Sequence, residues 1–103
     1  MTTEQWDRMF AVHARGAFLC YKYAVRQMIK QGRGGRIIGA CSLSGLKGKP
    51  NDAHYCAAKF AIRGLTQSVG TSLLSPGAKI YGRCLQHWKW EDTVLPLTLM
   101  LLV

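Results

Sequence analysis

Acidic residues are scarce in this sequence, and their absence from much of its first half sets the charge of the chain. Five Asp and Glu stand against 14 Lys and Arg in 103 residues, which gives a formal net charge of +9. No acidic residue lies between Asp7 and Asp52, whereas nine basic residues do. A positive field of this kind can attract nucleic acid, anionic lipid or a phosphate-bearing cofactor. No Lys/Arg-rich run, zinc pattern or RNA-binding aromatic motif is present, so we expect no nucleic-acid partner.

Long apolar runs and closely spaced cysteines are also missing. The apolar stretch at residues 94–103 is interrupted by Pro96 and is too short to span a bilayer. The first residues are polar and carry both charge signs, unlike a signal peptide. No CxxC pair exists, and each cysteine lies among apolar or small residues, which predicts buried free thiols at Cys20, Cys41, Cys56 and Cys84. We therefore expect no membrane partner, no metal site and a reducing, cytoplasmic compartment.

The residues that are present predict one small globular domain that begins with a helix. The composition, 49% hydrophobic and 18% charged, excludes a disordered chain, a collagen and a coiled coil. Thr2 and Gln5 have the spacing of a capping box, and no proline follows before about Gln31. Residues at steps of three and four, all but His13 apolar, form one face of this helix: Trp6, Phe10, His13, Ala17, Tyr21, Ala24 and Met28.

The remaining pattern predicts a strand, a second helix and a second strand. Glycines at residues 32–35 end the first helix, and the β-branched run at residues 36–41 is typical of a buried strand. A polar loop follows, and then a helix from about Ala53 to Leu74. Residues 79–84 alternate weakly, as in a strand. This order of helix, strand, helix and strand is that of one part of an α/β doubly wound fold.

Three side chains in this arrangement suit acid–base chemistry. Ser42 stands at the carboxyl end of the predicted strand, the edge at which open parallel sheets bind ligands. Tyr55 and Lys59 lie four residues apart on one helix face. A tyrosine, with an ordinary pKa of about 10, exchanges protons near neutral pH only with help such as a nearby ammonium. The spacing alone also occurs by chance in many helices.

The residues around these three resemble the short-chain dehydrogenase/reductase family. The likeness is carried by residues 35–45, GRIIGACSLSG, and residues 55–68, YCAAKFAIRGLTQS. The steps from Ser42 to Tyr55 and from Tyr55 to Lys59 match the family's Ser-Tyr-Lys triad. Residues 6–12 and 15–19 look like the helix that precedes it. Acetoin/butanediol dehydrogenase-like reductases are the most similar subgroup, and the resemblance covers residues 1 to about 84.

This resemblance implies a partial Rossmann-like, doubly wound parallel sheet and an oxidoreductase that uses NAD or NADP. The substrate would be a small ketone or other carbonyl, or a secondary alcohol. Tyr55 would donate a proton to the carbonyl oxygen, and Ser42 would steady that oxygen. Lys59 would favour the phenolate form of Tyr55 and, with it, contact the nicotinamide ribose. The family's usual dimer contacts imply a homo-oligomer through the two helices.

Three departures from the family pattern shape the domain prediction. His13 stands where the family has an Asn, and we expect a structural role for it. The glycine-rich pyrophosphate turn, the residue that selects NAD or NADP and the Asn-Ala-Gly strand have no counterpart. Leu85 and Gln86 replace a Pro-Gly turn. We therefore expect a partial catalytic domain at residues 1–84, truncated at its N-terminus, and a tail outside the family at residues 85–103.

An alternative is a catalytically inactive fragment that serves as a helix-mediated dimerisation or interaction module. Apolar residues outside the main helix faces would form the contact, namely Phe18 and Val25 on the first helix and Phe60 and Gly64 on the second. Stoichiometric binding of a nicotinamide dinucleotide would separate the two hypotheses, because only the enzyme requires it.

Overall fold

Three α-helices and four strands make up the described part of the molecule. The structure is a computed structural model, and it describes residues 1–70, 73–75, 78–85 and 99–102. The helices are α1 (Thr3–Phe10), α2 (Gly16–Gln31) and α3 (Ala53–Gly70), with a π-helical segment at Ala11–Arg15 and a 3-10 turn at Leu43–Gly45. The strands are β1 (Gly35–Ala40), β2 (Leu73–Ser75), β3 (Ala78–Leu85) and β4 (Leu99–Leu102).

Both ends of the first helical region are fixed by local sequence, as predicted. The Thr2 hydroxyl accepts from the Gln5 amide at 3.3 Å, and the Gln5 side-chain oxygen accepts from the Thr2 amide at 2.9 Å. This reciprocal pair is the expected capping box. Gly32 ends α2 in the left-handed conformation at φ 72°, which a residue without a Cβ adopts at little cost.

The predicted single helix is in fact interrupted by the π-helical segment. The Gly16 amide bonds to the Ala11 carbonyl five residues earlier, so this turn holds one residue more than an α-helical turn. The predicted apolar face is buried only beyond this point, at Ala17, Tyr21 and Met28, and α1 has no buried residue. The reason is that α2 contacts the sheet, whereas α1 contacts α3 and the π-helical segment.

The two predicted strands pair in parallel as β1 and β3, and two further strands that were not predicted make the sheet mixed. The strand order is β2-β3-β1-β4, with β1 parallel to β3 and both outer strands antiparallel to their neighbours. Only two residues separate β2 from β3, a connection that permits only antiparallel pairing. Strand β4 pairs along the other side of β1 and satisfies backbone groups that would otherwise lie at an edge.

Two further boundaries differ from the prediction. Helix α3 ends at Gly70, not at Leu74, because the chain enters β2 at Leu73. Of the predicted tail at residues 85–103, the described parts are Leu85, in β3, and strand β4. Most of the predicted tail, residues 86–98 and 103, lies outside the described residues.

One face of β1 carries the core. Ile37, Gly39 and Cys41 alternate along the strand and are buried, whereas Arg36 on the opposite face is exposed. The buried residues contact α2 and α3, which supply Tyr21, Met28, Ala17 and Ile62 to the same core. Within the described ranges the helices therefore cover one side of the sheet, and the second helical layer of a doubly wound fold is not among them.

A buried hydrogen bond joins the two helices over Gly39. The Thr66 hydroxyl donates to the Ile62 carbonyl at 2.7 Å, so the Tyr21 hydroxyl, 2.7 Å from the Thr66 oxygen, donates to Thr66. Burial raises the pKa of Tyr21 to about 12. A Cβ at Gly39 would collide with both hydroxyl oxygens. The helices approach the strand this closely because residue 39 has no side chain.

The burial of the cysteines follows the prediction only in part. The four cysteines are free; Cys41 and Cys56 are buried as predicted, Cys84 is half-buried, and at the exposed Cys20 the prediction was wrong. No helix in the described ranges is long and apolar enough to cross a membrane.

Candidate active site

Ser42 lies just beyond the end of β1 in a strained conformation. Its φ of 58° and ψ of 166° fall in a region that glycine occupies readily and other residues rarely. Holding a serine there costs about 1–3 kcal/mol, and such strain tends to persist at functional sites. The Ser42 hydroxyl accepts from the Ser44 amide at 3.4 Å as the chain enters the 3-10 turn. The strained turn sets the Ser42 side chain at the carboxyl end of the sheet.

Lys59 joins α3 to the same end of β1. The side chain is 7% exposed, and its Nζ donates to the carbonyl oxygen of Ala40 at 3.0 Å. Burial lowers the pKa of Lys59, an effect that Cys41 partly opposes. A buried ammonium needs partners for its three N–H groups, and the Ala40 carbonyl occupies one of them. As far as residues 1–70 and the described strands go, Lys59 thus has donors left for a ligand at this edge.

Tyr55 lies one helical turn before Lys59 and is half-buried. The Lys59 Nζ lies 5.5 Å from the centroid of the Tyr55 ring. The His13 ring approaches the same ring edge-on, with centroids 5.5 Å apart and an interplanar angle of 84°. The tyrosine is therefore held between an ammonium on its own helix and an imidazole from the π-helical segment.

The predicted triad is only partly in contact. Ser42 and Lys59 both lie at the carboxyl end of β1, and Lys59 lies beside Tyr55. Within the described ranges, no hydrogen bond joins the Ser42 hydroxyl to Tyr55 or to Lys59. The arrangement offers a phenol, an ammonium and a hydroxyl near one strand end. Such groups can exchange a proton with, and orient, an oxygen atom of a ligand.

The structure adds His13 to the candidate site. We expected a structural role for His13, which stays a prediction; its ring contacts that of Tyr55, and burial together with the charge of Lys59 lowers its pKa. The π-helical turn brings it there, and spacing by threes and fours does not reveal such a turn. The one available signal was that His13 replaces the family's Asn.

One residue of this site, Lys59, could bind the nicotinamide cofactor that the family implies. The unused N–H groups of Lys59 suit the hydroxyl oxygens of a ribose. Gly32 and Gly34, the described glycines with positive φ, lie before β1, at the end opposite Ser42. No glycine-rich turn follows the carboxyl end of β1 in the described ranges, so the pyrophosphate site is not among them. Residues 1–70 and the described strands also contain no group of His, Cys, Asp and Glu that could hold a metal.

Known proteins match this chain over most of its length. The sequence model of the short chain dehydrogenase family matches residues 1–86. A short-chain dehydrogenase/reductase of Armillaria gallica is 61% identical over 66 residues, which are 64% of this chain and 25% of that protein. The (S)-acetoin-forming diacetyl reductase of Staphylococcus aureus is 38% identical over 80 residues, 78% of this chain and 31% of the reductase.

A solved structure agrees with these matches. A putative oxidoreductase from Escherichia coli K-12 superposes with a TM-score of 0.66 at 44% identity, over 68% of this chain and 30% of that one. The chain thus spans between a quarter and a third of the length of these three proteins.

Proposed function

Because the chain belongs to the short-chain dehydrogenase/reductase family, we propose that residues 1–84 are the catalytic part of an oxidoreductase. The proposed reaction interconverts a small ketone or other carbonyl and a secondary alcohol, with NAD or NADP. One observation supports it above the others: the buried Lys59 ammonium bonds the last carbonyl of β1 and lies beside the Tyr55 ring. A buried amine with donors to spare, beside a phenol at a strand end, suits proton transfer to a ligand.

Tyr55, Lys59 and Ser42 would each have a separate role in this reaction. Tyr55 donates its hydroxyl proton to the substrate oxygen in reduction and removes a proton from the alcohol in oxidation. Lys59, with its positive charge, stabilises the phenolate left after donation. Ser42 donates a hydrogen bond to the same substrate oxygen and fixes its direction. Lys59 and Tyr55 would also hold the nicotinamide ribose, and the bound dinucleotide supplies or accepts the hydride.

A small substrate is proposed from the relatives. The Staphylococcus aureus protein is a diacetyl reductase, and diacetyl is a small diketone. The phenol and the serine hydroxyl of this chain suit a single carbonyl oxygen of such a molecule. A cytoplasmic location, expected from the free thiols, stays a prediction.

A chimera tests the proposed function. In it, the residues of this chain that match the Staphylococcus aureus diacetyl reductase replace their counterparts in that enzyme, which supplies the rest of the sheet. We expect NADH- or NADPH-dependent reduction of diacetyl, because Ser42, Tyr55 and Lys59 keep their places. The assay is the loss of 340 nm absorbance, with the parent reductase as reference. A folded chimera that binds dinucleotide and reduces no diacetyl would count against the proposal.

We also propose that the chain forms a homo-oligomer through α2 and α3. Phe18 and Phe60 are 48% and 43% exposed, and Gly64 on α3 is exposed too. Val25, which we expected on this surface, packs partly against the core instead. Large exposed aromatic side chains favour protein contacts.

The sedimentation behaviour of the chain tests this proposal. Phe60→Ser should weaken self-association at least about tenfold, because it removes an aromatic side chain from the contact. Leu43→Ser is the matched control, since Leu43 is 47% exposed but lies outside the helices. Equal self-association in both variants would contradict the helix-mediated contact.

A further inference from the structure

A groove of about 460 Å³ lies between α1 with the π-helical segment on one side and the start of α3 on the other. We call it the α1 groove. Its polar lining residues are Gln5, Arg8, His13, Asn51 and His54. Its volume lies in the range of sites for small organic ligands, about 300–1,000 Å³.

The charge of the α1 groove is positive. Arg8 carries a permanent charge, and no acidic residue lines the groove. Glu4 and Asp7 lie on the same helix as Arg8 but do not line the groove. The ion pair found within residues 1–70 joins Lys49 to Asp52 at 3.1 Å and does not involve Arg8. The guanidinium of Arg8 thus has no carboxylate partner in the described ranges. Its planar fork of N–H donors matches the two oxygens of a carboxylate.

Two more polar side chains in the groove have unused hydrogen-bonding capacity. The Nδ1 atom of His54 is buried, and it has no hydrogen-bond partner among the described residues. A buried polar atom without a partner is uncommon and costs free energy. The Asn51 side chain also makes no hydrogen bond in residues 1–70, and its backbone lies at φ 63°. Reorientation of the His54 ring toward a ligand would give it the partner it lacks.

The rest of the lining is apolar. Met1 precedes α1, Met9 lies in α1 next to Arg8, and Val12 lies in the π-helical segment next to His13. Such side chains favour the hydrocarbon part of a ligand. A ligand that suits both parts of the groove has a short aliphatic body and one anionic end.

We propose that the α1 groove binds a short aliphatic carboxylate. Arg8 pairs with the carboxylate, Asn51 and His54 donate hydrogen bonds to it, and Met9 and Val12 contact the carbon chain. His13 lines this groove and contacts the Tyr55 ring, so one side chain separates the groove from the proposed catalytic tyrosine. The binding itself does not depend on the proposed reductase function. Only its assignment to a substrate does.

Titration of the full 103-residue chain with butyrate, followed by amide and imidazole NMR signals, tests the binding. Sodium chloride at equal ionic strength serves as the reference for screening, and butanol as the neutral probe. We expect saturable shifts at His54, Asn51 and Arg8 with butyrate alone. Arg8→Gln should weaken binding at least about tenfold, because a charge-assisted hydrogen bond is lost.

The matched control is Arg26→Gln, which removes another exposed arginine, from α2 outside the groove. It should leave butyrate affinity within about twofold. Equal affinity in the Arg8→Gln and Arg26→Gln variants would overturn the proposal. NMR shifts with butyrate that are no larger than those with sodium chloride would also overturn the proposal.

Comparison of two acids separates a substrate from a ligand that is not turned over. Pentanoate and 4-oxopentanoate carry the same carboxylate, but only the second has a ketone. If the acid is a substrate, 4-oxopentanoate shifts the Tyr55 ring signals more than pentanoate does. Equal shifts of the Tyr55 signals with the two acids would mean that the groove binds an acid that is not a substrate. That result would support the binding proposal but not the assignment of the acid as a substrate. Since butyrate binding requires no reaction, an inactive chimera would leave the α1 groove proposal standing.

Discussion

Tyr55→Phe in the chimera is expected to lower diacetyl reduction by about 10²- to 10⁴-fold and to leave dinucleotide binding nearly unchanged. The change removes only the hydroxyl, which is the proposed proton donor, and general acid catalysis contributes a factor of this size. The Phe ring keeps the contact with the His13 ring, so the fold around it stays intact. Steady-state rates and a fluorescence titration with NADPH measure the two effects separately.

Lys59→Met provides the comparison for Tyr55→Phe. It keeps most of the buried stem but removes the ammonium that bonds the Ala40 carbonyl and is proposed to hold the ribose. It should therefore reduce both the rate and the affinity for dinucleotide. A Tyr55→Phe chimera that turns over diacetyl at nearly the parent rate would show that the proton comes from elsewhere.

Gly39→Ala is expected to destabilise the chain by about 1–3 kcal/mol, the cost of overpacking a closely packed core. The new Cβ would meet the hydroxyl oxygens of Tyr21 and Thr66. Either the helices move away from β1 or the hydrogen bond between them breaks, which adds about 1 kcal/mol to the cost. Urea unfolding of the full chain, followed by far-UV circular dichroism, measures the change.

Gly48→Ala is the control for this prediction. Nothing lies within 4 Å of a Cβ at Gly48, and its φ is not in the left-handed region. The free energy of unfolding should change by less than about 0.5 kcal/mol. If Gly39→Ala unfolds at the same urea concentration as Gly48→Ala, the close approach of α2 and α3 to β1 is wrong.

Features set by neighbouring residues could be predicted from the sequence. The capping box at Thr2 and the left-handed Gly32 depend on residues within one helical turn, and both are confirmed. The strand at Gly35–Ala40 was evident from its β-branched run between glycines and a polar loop. The family was evident from the residues around Ser42, Tyr55 and Lys59, and the family match confirms it.

Features set by distant residues could not be predicted. Leu73 continues the apolar spacing of α3, but pairing with β3 draws it into β2. Strand β4 pairs antiparallel with β1 from more than fifty residues away, and no local pattern encodes that choice. The π-helical turn, the His13–Tyr55 contact and the strained Ser42 backbone likewise depend on packing around the strand end.

The central claim is that Ser42 and Tyr55 act on one substrate oxygen, and a double-mutant cycle in the chimera tests it most directly. Diacetyl reduction would be measured for Ser42→Ala, Tyr55→Phe and the variant that carries both changes. Residues that act as a unit show strongly non-additive losses. We predict that the double variant is at most about threefold slower than Tyr55→Phe alone. If the two losses multiply in full, the residues act independently, and the proposed site is contradicted.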